Sequence, residues 1–356
     1  MWSWYVFIIL FSMPRKGKFM SEKKKELSNT TSTTFAELFG EKRPRQDIIT
    51  DIENSLFSEE WRSFSAADRE SILSFLEGSQ GLQILSDKFF RHVFKPDTYP
   101  ERIESLISAI LGQEVTIVQV LSREGSAITE TGSQVIMDII VKTDTGGIVN
   151  VEMQRIGYYF PGERSDCYAA DMIMRQYGKV RSVKGEHFSY KDLKPVTLII
   201  LMEKSSAEFS AVAPEFIHKK QSRYSSGAKV TILDNVVYVS LDTFKKQGQN
   251  IIDSKRDAWL SFFTYEKPEE ITKLVHSYPE FIPLYKDIAE FRKKPEEVIG
   301  MFSEALKIMD RNTTKYMIDD LTKQRDDAVA ALKKTQQEVA NLKAQLAKQS
   351  NNTSGM

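Results

Sequence analysis

Apolar and polar positions along the chain change period twice. From Ser65 to Gly78, a Ser65–Asp68 cap precedes Ile72, Leu73, Phe75 and Leu76 and a glycine closes the run, which predicts a capped amphipathic helix. A second helix is predicted from Asp87 through Phe89, Phe90, Val93 and Phe94. After a Pro-marked turn at Lys95 to Pro100, a third runs through Ile103, Leu106, Ile107 and Ile110 to Gly112. Strand-like segments follow: Val115 to Leu121, Gln134 to Val141, Ile148 to Gln154, Val196 to Met202 and Val236 to Leu241, all short, apolar and rich in β-branched residues. Between the third and fourth, Ser165 caps a helix whose Tyr168, Ala169, Met172, Ile173 and Gln176 share a face and which Gly178 would end. Helix, three strands, helix and further strands predict a mixed α/β core. Beyond Asp253 the pattern is helical, punctuated by Pro268, Pro279, Pro283 and Pro295.

These regimes divide the chain into an N-terminal tail (1–47), a helical lead-in (48–86), an α/β core (87–250), a helical region (251–317), a coiled coil (318–348) and a short tail (349–356). The coiled coil rests on Ile318, Arg325, Leu332, Val339 and Leu346, which recur every seven residues, with Leu321, Ala328, Thr335 and Leu342 three residues after the first four. Such a seam predicts a homodimer; Arg325 and Thr335 weaken it, and a single solvated helix fits the same residues. At the other end, Trp2 to Phe11 is apolar and Arg15, Lys16, Lys18 and Lys23 to Lys25 follow. The run is shorter than the roughly 20 residues that span a bilayer, and its basic residues come after it rather than before. A membrane anchor and a start codon assigned too early both fit; a start at Met13 or Met20 would leave no membrane partner.

Composition narrows the function. With 356 residues, 41% hydrophobic and 28% charged, the chain can bury a sizeable core. Its 49 Lys and Arg offset 49 Asp and Glu, which excludes attachment to nucleic acid by bulk charge and requires any such surface to be local. One cysteine, Cys167, excludes a disulfide framework and fits a reducing, cytoplasmic setting. The four histidines are scattered without zinc-ligand spacing, and neither a Gly-x-Gly-x-x-Gly nor a Gly-Lys-Ser/Thr phosphate loop is present.

The candidate chemistry lies in one hairpin. If Gln134 to Val141 and Ile148 to Gln154 pair about a turn centred on Thr145, Asp138 sits directly opposite Glu152, on the same side of the sheet with Cβ atoms about 4.5 to 5.5 Å apart. Gln154, two residues on, shares that side. Both acids belong to apolar strands, where opposed like charges destabilise a sheet. A divalent cation between them relieves that cost, and carboxylate oxygens suit Mg²⁺, which can polarise a phosphoryl oxygen and acidify a bound water. A polar sheet edge, with each acid satisfied by solvent or a nearby Arg, fits the same spacing.

The strand-Asp, turn, strand-Glu-x-Gln pattern of Asp138 and Glu152-Met153-Gln154 resembles the PD-(D/E)XK nuclease superfamily, in its branch of recombination-promoting nucleases and PD-(D/E)XK nuclease family transposases. Asp87-Lys-Phe-Phe-Arg-His-Val-Phe is similar to that branch's opening Asp-x-x-Phe-Lys segment, with Arg91 where Lys is usual, and Glu104 to Gly112 is similar to its next helix. Arg164, Tyr168, Gln176 and Tyr190 to Val196 resemble the segment after the hairpin, as does the helical region around Trp259 and Phe262. The resemblance implies a restriction-endonuclease-like mixed sheet flanked by helices and a Mg²⁺-dependent DNA endonuclease, with Mn²⁺ as a possible substitute. It implies Asp138 and Glu152 as metal ligands and Gln154 in the place lysine holds in the wider superfamily. It further implies Asp87, and less directly Glu104, as supporting acids, Gln176 as a side chain facing the site and Arg155 as a phosphate contact. Helix caps, packing and solvated strand ends account for those four residues equally well. A role in recombination or mobile-element activity follows from the resemblance, and a noncatalytic DNA-binding or coiled-coil assembly module derived from a nuclease is the alternative.

Overall fold

The computed structural model describes residues 33–82, 87–121, 139–156, 161–247, 252–303 and 325–339, with 322 and 341, and covers only the backbone at 87, 88, 155, 156 and 161. Among the described residues six strands form one sheet: β1 (Ile117–Val120), β2 (Ile139–Thr143), β3 (Ile148–Ile156), β4 (Val196–Lys204), β5 (Ile217–Lys219) and β6 (Asp234–Ser240), in the order β1-β2-β3-β4-β6-β5. Connection length sets the sense of each pair. The short turn from Thr143 to Gly147, with Gly146 at φ 85°, joins β2 and β3 antiparallel, whereas β3, β4 and β6 are parallel. The crossover from β3 to β4 is the helix α7 below. β1 and β5 close the two edges antiparallel. The three-residue β5 shows no alternation in sequence, which is why the pattern did not predict it.

Alternation along the strands splits the buried residues into two layers. Ile139, Val141, Val149, Val151, Met153, Ile199, Leu201, Val237 and Val239 face a large helical layer, and Ile140, Ile148, Leu198, Ile200, Met202, Val236 and Tyr238 face the other way. The large layer holds α1 (Phe35–Phe39), α2 (Arg45–Glu53), α3 (Ser58–Ser63), α4 (Ala66–Glu77), α5 (Asp87–Phe94) and α6 (Pro100–Leu111). The opposite face is covered by α7 (Pro161–Lys184), with Phe209 of α8 (Ala207–Ser210) at its margin. From the C-terminal half, α9 (Leu241–Lys246), α10 (Lys255–Thr264), α11 (Pro268–Ser277) and α12 (Ile282–Glu290) rejoin the large layer.

Several expected bounds shift. The segment read as tail to residue 47 carries α1, whose Thr34–Glu37 capping box and buried Leu38 and Phe39 dock it against Tyr285 of α12, and the start of α2. Five residues are too few to display a helical period. The lead-in and the C-terminal helical region are not separate from the core either, since their buried residues form one continuous cluster with the sheet. α7 runs past Gly178 to Lys184, because an interior glycine only weakens a helix that packing already holds. At the C-terminus, residues 325–339 are helical and every described side chain there is exposed, Val329, Leu332 and Val339 included. The expected coiled coil therefore has no buried seam among the described residues. No described helix is long and apolar enough to cross a membrane; Trp2 to Phe11 lies outside the described residues.

A buried charge, Arg292, and a half-buried one, Asp287, tie the large layer together. The guanidinium of Arg292, 5% exposed, donates to the carbonyls of Leu76 and Glu77 at the end of α4, and to those of Phe39 and Glu41. A cation there satisfies last-turn carbonyls that helix geometry leaves without partners. Asp287 of α12 accepts from Lys95 Nζ at 2.9 Å and Arg102 Nη1 at 2.6 Å, reaching the ends of α5 and α6. Replacing Arg292 by Met strips four backbone acceptors, two of them in buried bonds, of a charged donor and should cost about 3 kcal/mol. Urea denaturation measures this, and an unchanged midpoint would contradict the clamp.

Candidate active site

The hairpin register is the one that sequence counting requires. Ile139 pairs with Val151, Ile140 with Asn150 and Val141 with Val149. Asp138 itself lies outside the described residues. On β3, the even-numbered side chains Asn150, Glu152 and Gln154 form a polar stripe, 0%, 4% and 8% exposed, on the face covered by α7. Burying such groups is unfavourable unless they find partners. Asn150 Nδ2 donates to Glu152 Oε1 at 2.7 Å, fixing that oxygen, while the buried Asn150 Oδ1 has no hydrogen-bond partner among the described residues.

The helix above this stripe is held at both ends. Glu152 pairs in register with Ile200, which pairs with Tyr238, and the Tyr238 hydroxyl donates to Ser165 Oγ of α7 at 2.8 Å. Burial pushes the Tyr238 phenol above its usual pKa, so it remains a donor. Nearby, Lys220 Nζ bridges Asp166 of α7 at 2.6 Å and Asp234 of β6 at 2.7 Å; hydrogen bonds first to Asp166 and then to Asp234 hold its pKa above the ordinary lysine value. At the far end of the helix, Gln176 donates from Nε2 to Lys194 O at 3.1 Å and accepts from Lys194 N at 2.5 Å, just before β4. α7 therefore returns over the sheet with its first turns, carrying Arg164 and Tyr168, above the Glu152 row. Arg164 donates to the Tyr168 hydroxyl and lies over its ring, 4.9 Å from the centroid.

The structure brings Glu152 and Gln154 together on one strand and one face. It engages Gln176 with the main chain of Lys194, at the other end of α7. Glu104 of α6 accepts from the amide of Ile117 at 2.6 Å, joining α6 to the first residue of β1. Asp87 begins α5 and Arg155 lies near the end of β3; of both, only the backbone is described. Among the described residues, no three His, Cys, Asp or Glu side chains gather in a way that could hold a metal ion.

Sequence reading passed over two groups on this face. Asn150 was legible as a polar residue in the alternation of Ile148 to Gln154, but its bond to Glu152 needed the register. Asp171, 1% exposed, takes Arg175 Nε at 2.7 Å in an i,i+4 pair whose spacing alone could have marked it.

A mixed sheet flanked by helices, with a buried Glu-x-Gln on the second strand of a hairpin, is consistent with a nuclease-type α/β fold. The family model described as PD-(D/E)XK nuclease family transposase matches residues 84–335, and the chain belongs to that family. No curated protein and no solved structure matches it.

The Asn150–Glu152 bond makes a direct prediction. Asn150→Ala should leave the fold intact yet lower any Glu152-dependent activity or metal affinity by about 10- to 100-fold, the usual effect of removing a group that orients a ligand. Parallel melting and metal-titration curves check it; unchanged metal affinity would show that Glu152 needs no such support.

Proposed function

We propose that this protein is a Mg²⁺-dependent endodeoxyribonuclease that hydrolyses phosphodiester bonds, with Mn²⁺ able to substitute, and that it serves recombination or mobile-element activity. The observation that carries this reading is the buried Glu152 carboxylate, with Gln154 beside it on the same face of β3, in a chain of this nuclease family. The donor chemistry fits a hard cation. Glu152 and the unpartnered Oδ1 of Asn150 are both oxygen donors, two residues apart on one face.

Asp138 and Glu152 would hold the ion. When bound, Mg²⁺ supplies Lewis-acid polarisation of a phosphoryl oxygen and offsets the charge of the acids. Asn150 keeps the Glu152 carboxylate oriented by its 2.7 Å bond. Gln154, a neutral amide, accepts from a water with its oxygen and donates to a phosphate oxygen with its nitrogen; unlike lysine, it brings no positive charge to the developing phosphorane. α7 and the strand ends exclude bulk solvent from these groups. Asp87, Glu104 and Arg155 complete the reading as supporting groups, and the substrate is DNA.

Supercoiled plasmid incubated with the purified protein and Mg²⁺ or Mn²⁺ should be nicked, EDTA should stop it, and folded Asp138→Ala and Glu152→Ala variants should lose it while retaining DNA binding. No cleavage by the wild type under either metal, with binding intact, would instead identify a noncatalytic DNA-binding module.

The exposed Val329, Leu332 and Val339 support a dimer formed through residues 318–348. Two chains would bring two active centres to the two strands of a duplex. Sedimentation should give a dimer that Leu332→Glu converts to monomer; a monomeric wild type would remove the coil from the reading.

A further inference from the structure

We propose that a cavity between α7 and the first hairpin is a binding site for an unpaired nucleotide, so that the protein engages single-stranded segments of nucleic acid in preference to intact duplex. The proposal deepens the nuclease reading by naming the form of its substrate, and the cavity is separate from the Glu152 stripe. Its volume is about 350 Å³, within the range of small-ligand sites. Leu121, Ile140, Ile148 and Val180 supply apolar lining. Around them stand four cations, Lys142, Arg175, Lys179 and Lys194, against one acid, Asp192, which is already paired with Lys184 Nζ at 2.6 Å. Arg175 is fixed from behind by the buried Asp171.

Apolar walls with a cationic rim select a ligand that is flat and apolar in one part and anionic in another. A nucleotide has that form, its base taken inside and its phosphate held at the rim. A second observation extends the site. Beside Asp192, the rings of Tyr177, Phe188 and Tyr190 contact one another, with centroids 5.3 to 6.3 Å apart, and Tyr190 is 74% exposed. Arg181 lies over Tyr177 at 5.5 Å. An exposed Tyr190 ring backed by the half-buried Tyr177 and Phe188, with Arg181 and Lys179 close by in the chain, suits stacking by a base of a single strand.

Pairing decides the form of the substrate. A base within a duplex offers its edges alone, and a cavity receives the whole base only when it is unpaired or extruded. The cavity also lies on the same face of β3 as the proposed reacting groups. Ile148 and Glu152 share a face of β3 four residues apart, about 13 Å at roughly 3.3 Å per residue.

The test uses the full chain in EDTA, so that no cleavage intervenes, and fluorescence anisotropy with a labelled single-stranded DNA of roughly 16 nucleotides or the blunt duplex of the same sequence. The wild type should bind the single strand more tightly. Lys179→Glu, Tyr190→Ala and Val180→Trp, each checked by thermal melting, should weaken that binding by about 10-fold apiece, with little change for the duplex. Lys179 and Tyr190 are exposed, so their variants should fold even if Val180→Trp does not. Equal or tighter binding of the duplex, or variants that leave single-strand binding unchanged, would overturn the proposal even if plasmid nicking succeeds. Conversely, variant-sensitive single-strand binding with no nicking under any metal would keep this site and overturn the nuclease reading.

Discussion

The central constraint is the polar stripe on β3. That strand has both edges paired, with β2 and β4, and helices on both faces, so alternate residues must serve opposite layers. Val149, Val151 and Met153 anchor it in the helical layer, which leaves Asn150, Glu152 and Gln154 no choice but to point beneath α7. A buried carboxylate is tolerated only with partners, and the Asn150 amide supplies one. The helix above must then be fixed in place rather than merely packed. Tyr238 with Ser165, Lys220 between Asp166 and Asp234, and Gln176 on Lys194 all do this from the ends of α7.

The other layer explains how such a face can stay open to function. One continuous apolar cluster runs from Leu38 to Phe302 and packs against the opposite side of the sheet. Most of the burial that drives folding is there. Within it, Arg292 and Asp287 join the helices that precede the sheet to those that follow it, which makes them parts of one layer. The face under α7 can therefore hold polar groups and a cavity without supplying the main stabilisation.

What the sequence disclosed follows from range. The hairpin register was legible because a short turn fixes it by counting, and Ile139 indeed faces Val151. The mixed sheet was legible because strand and helix periods differ so sharply. Gln176 was legible as polar on an apolar helix face, yet its engagement with Lys194, 18 residues away, depends on how α7 lies over β4. Glu104 likewise meets Ile117 only through the packing of α6 against β1. α1 and β5 were too short to show a period, and the continuity of the helical layer rests on contacts between residues more than 200 apart, such as Arg292 with Leu76.

Charge placement links these features to the substitution of glutamine for lysine. The chain is neutral overall, yet Lys142, Arg175, Lys179 and Lys194 gather at the start of β3, while Glu152 and Gln154 lie toward its end. Because α7 returns over the sheet, one helix spans both regions. A lysine beside Glu152 would hold phosphate and stabilise its reaction at one point. With glutamine there, the positive charge stands instead in the cluster of Lys142, Arg175, Lys179 and Lys194, close to the rings of Tyr177 and Tyr190. On the proposed reading, attraction and reaction fall to separate groups, so strand binding would change at Lys179 or Tyr190 without disturbing the Asn150–Glu152 bond.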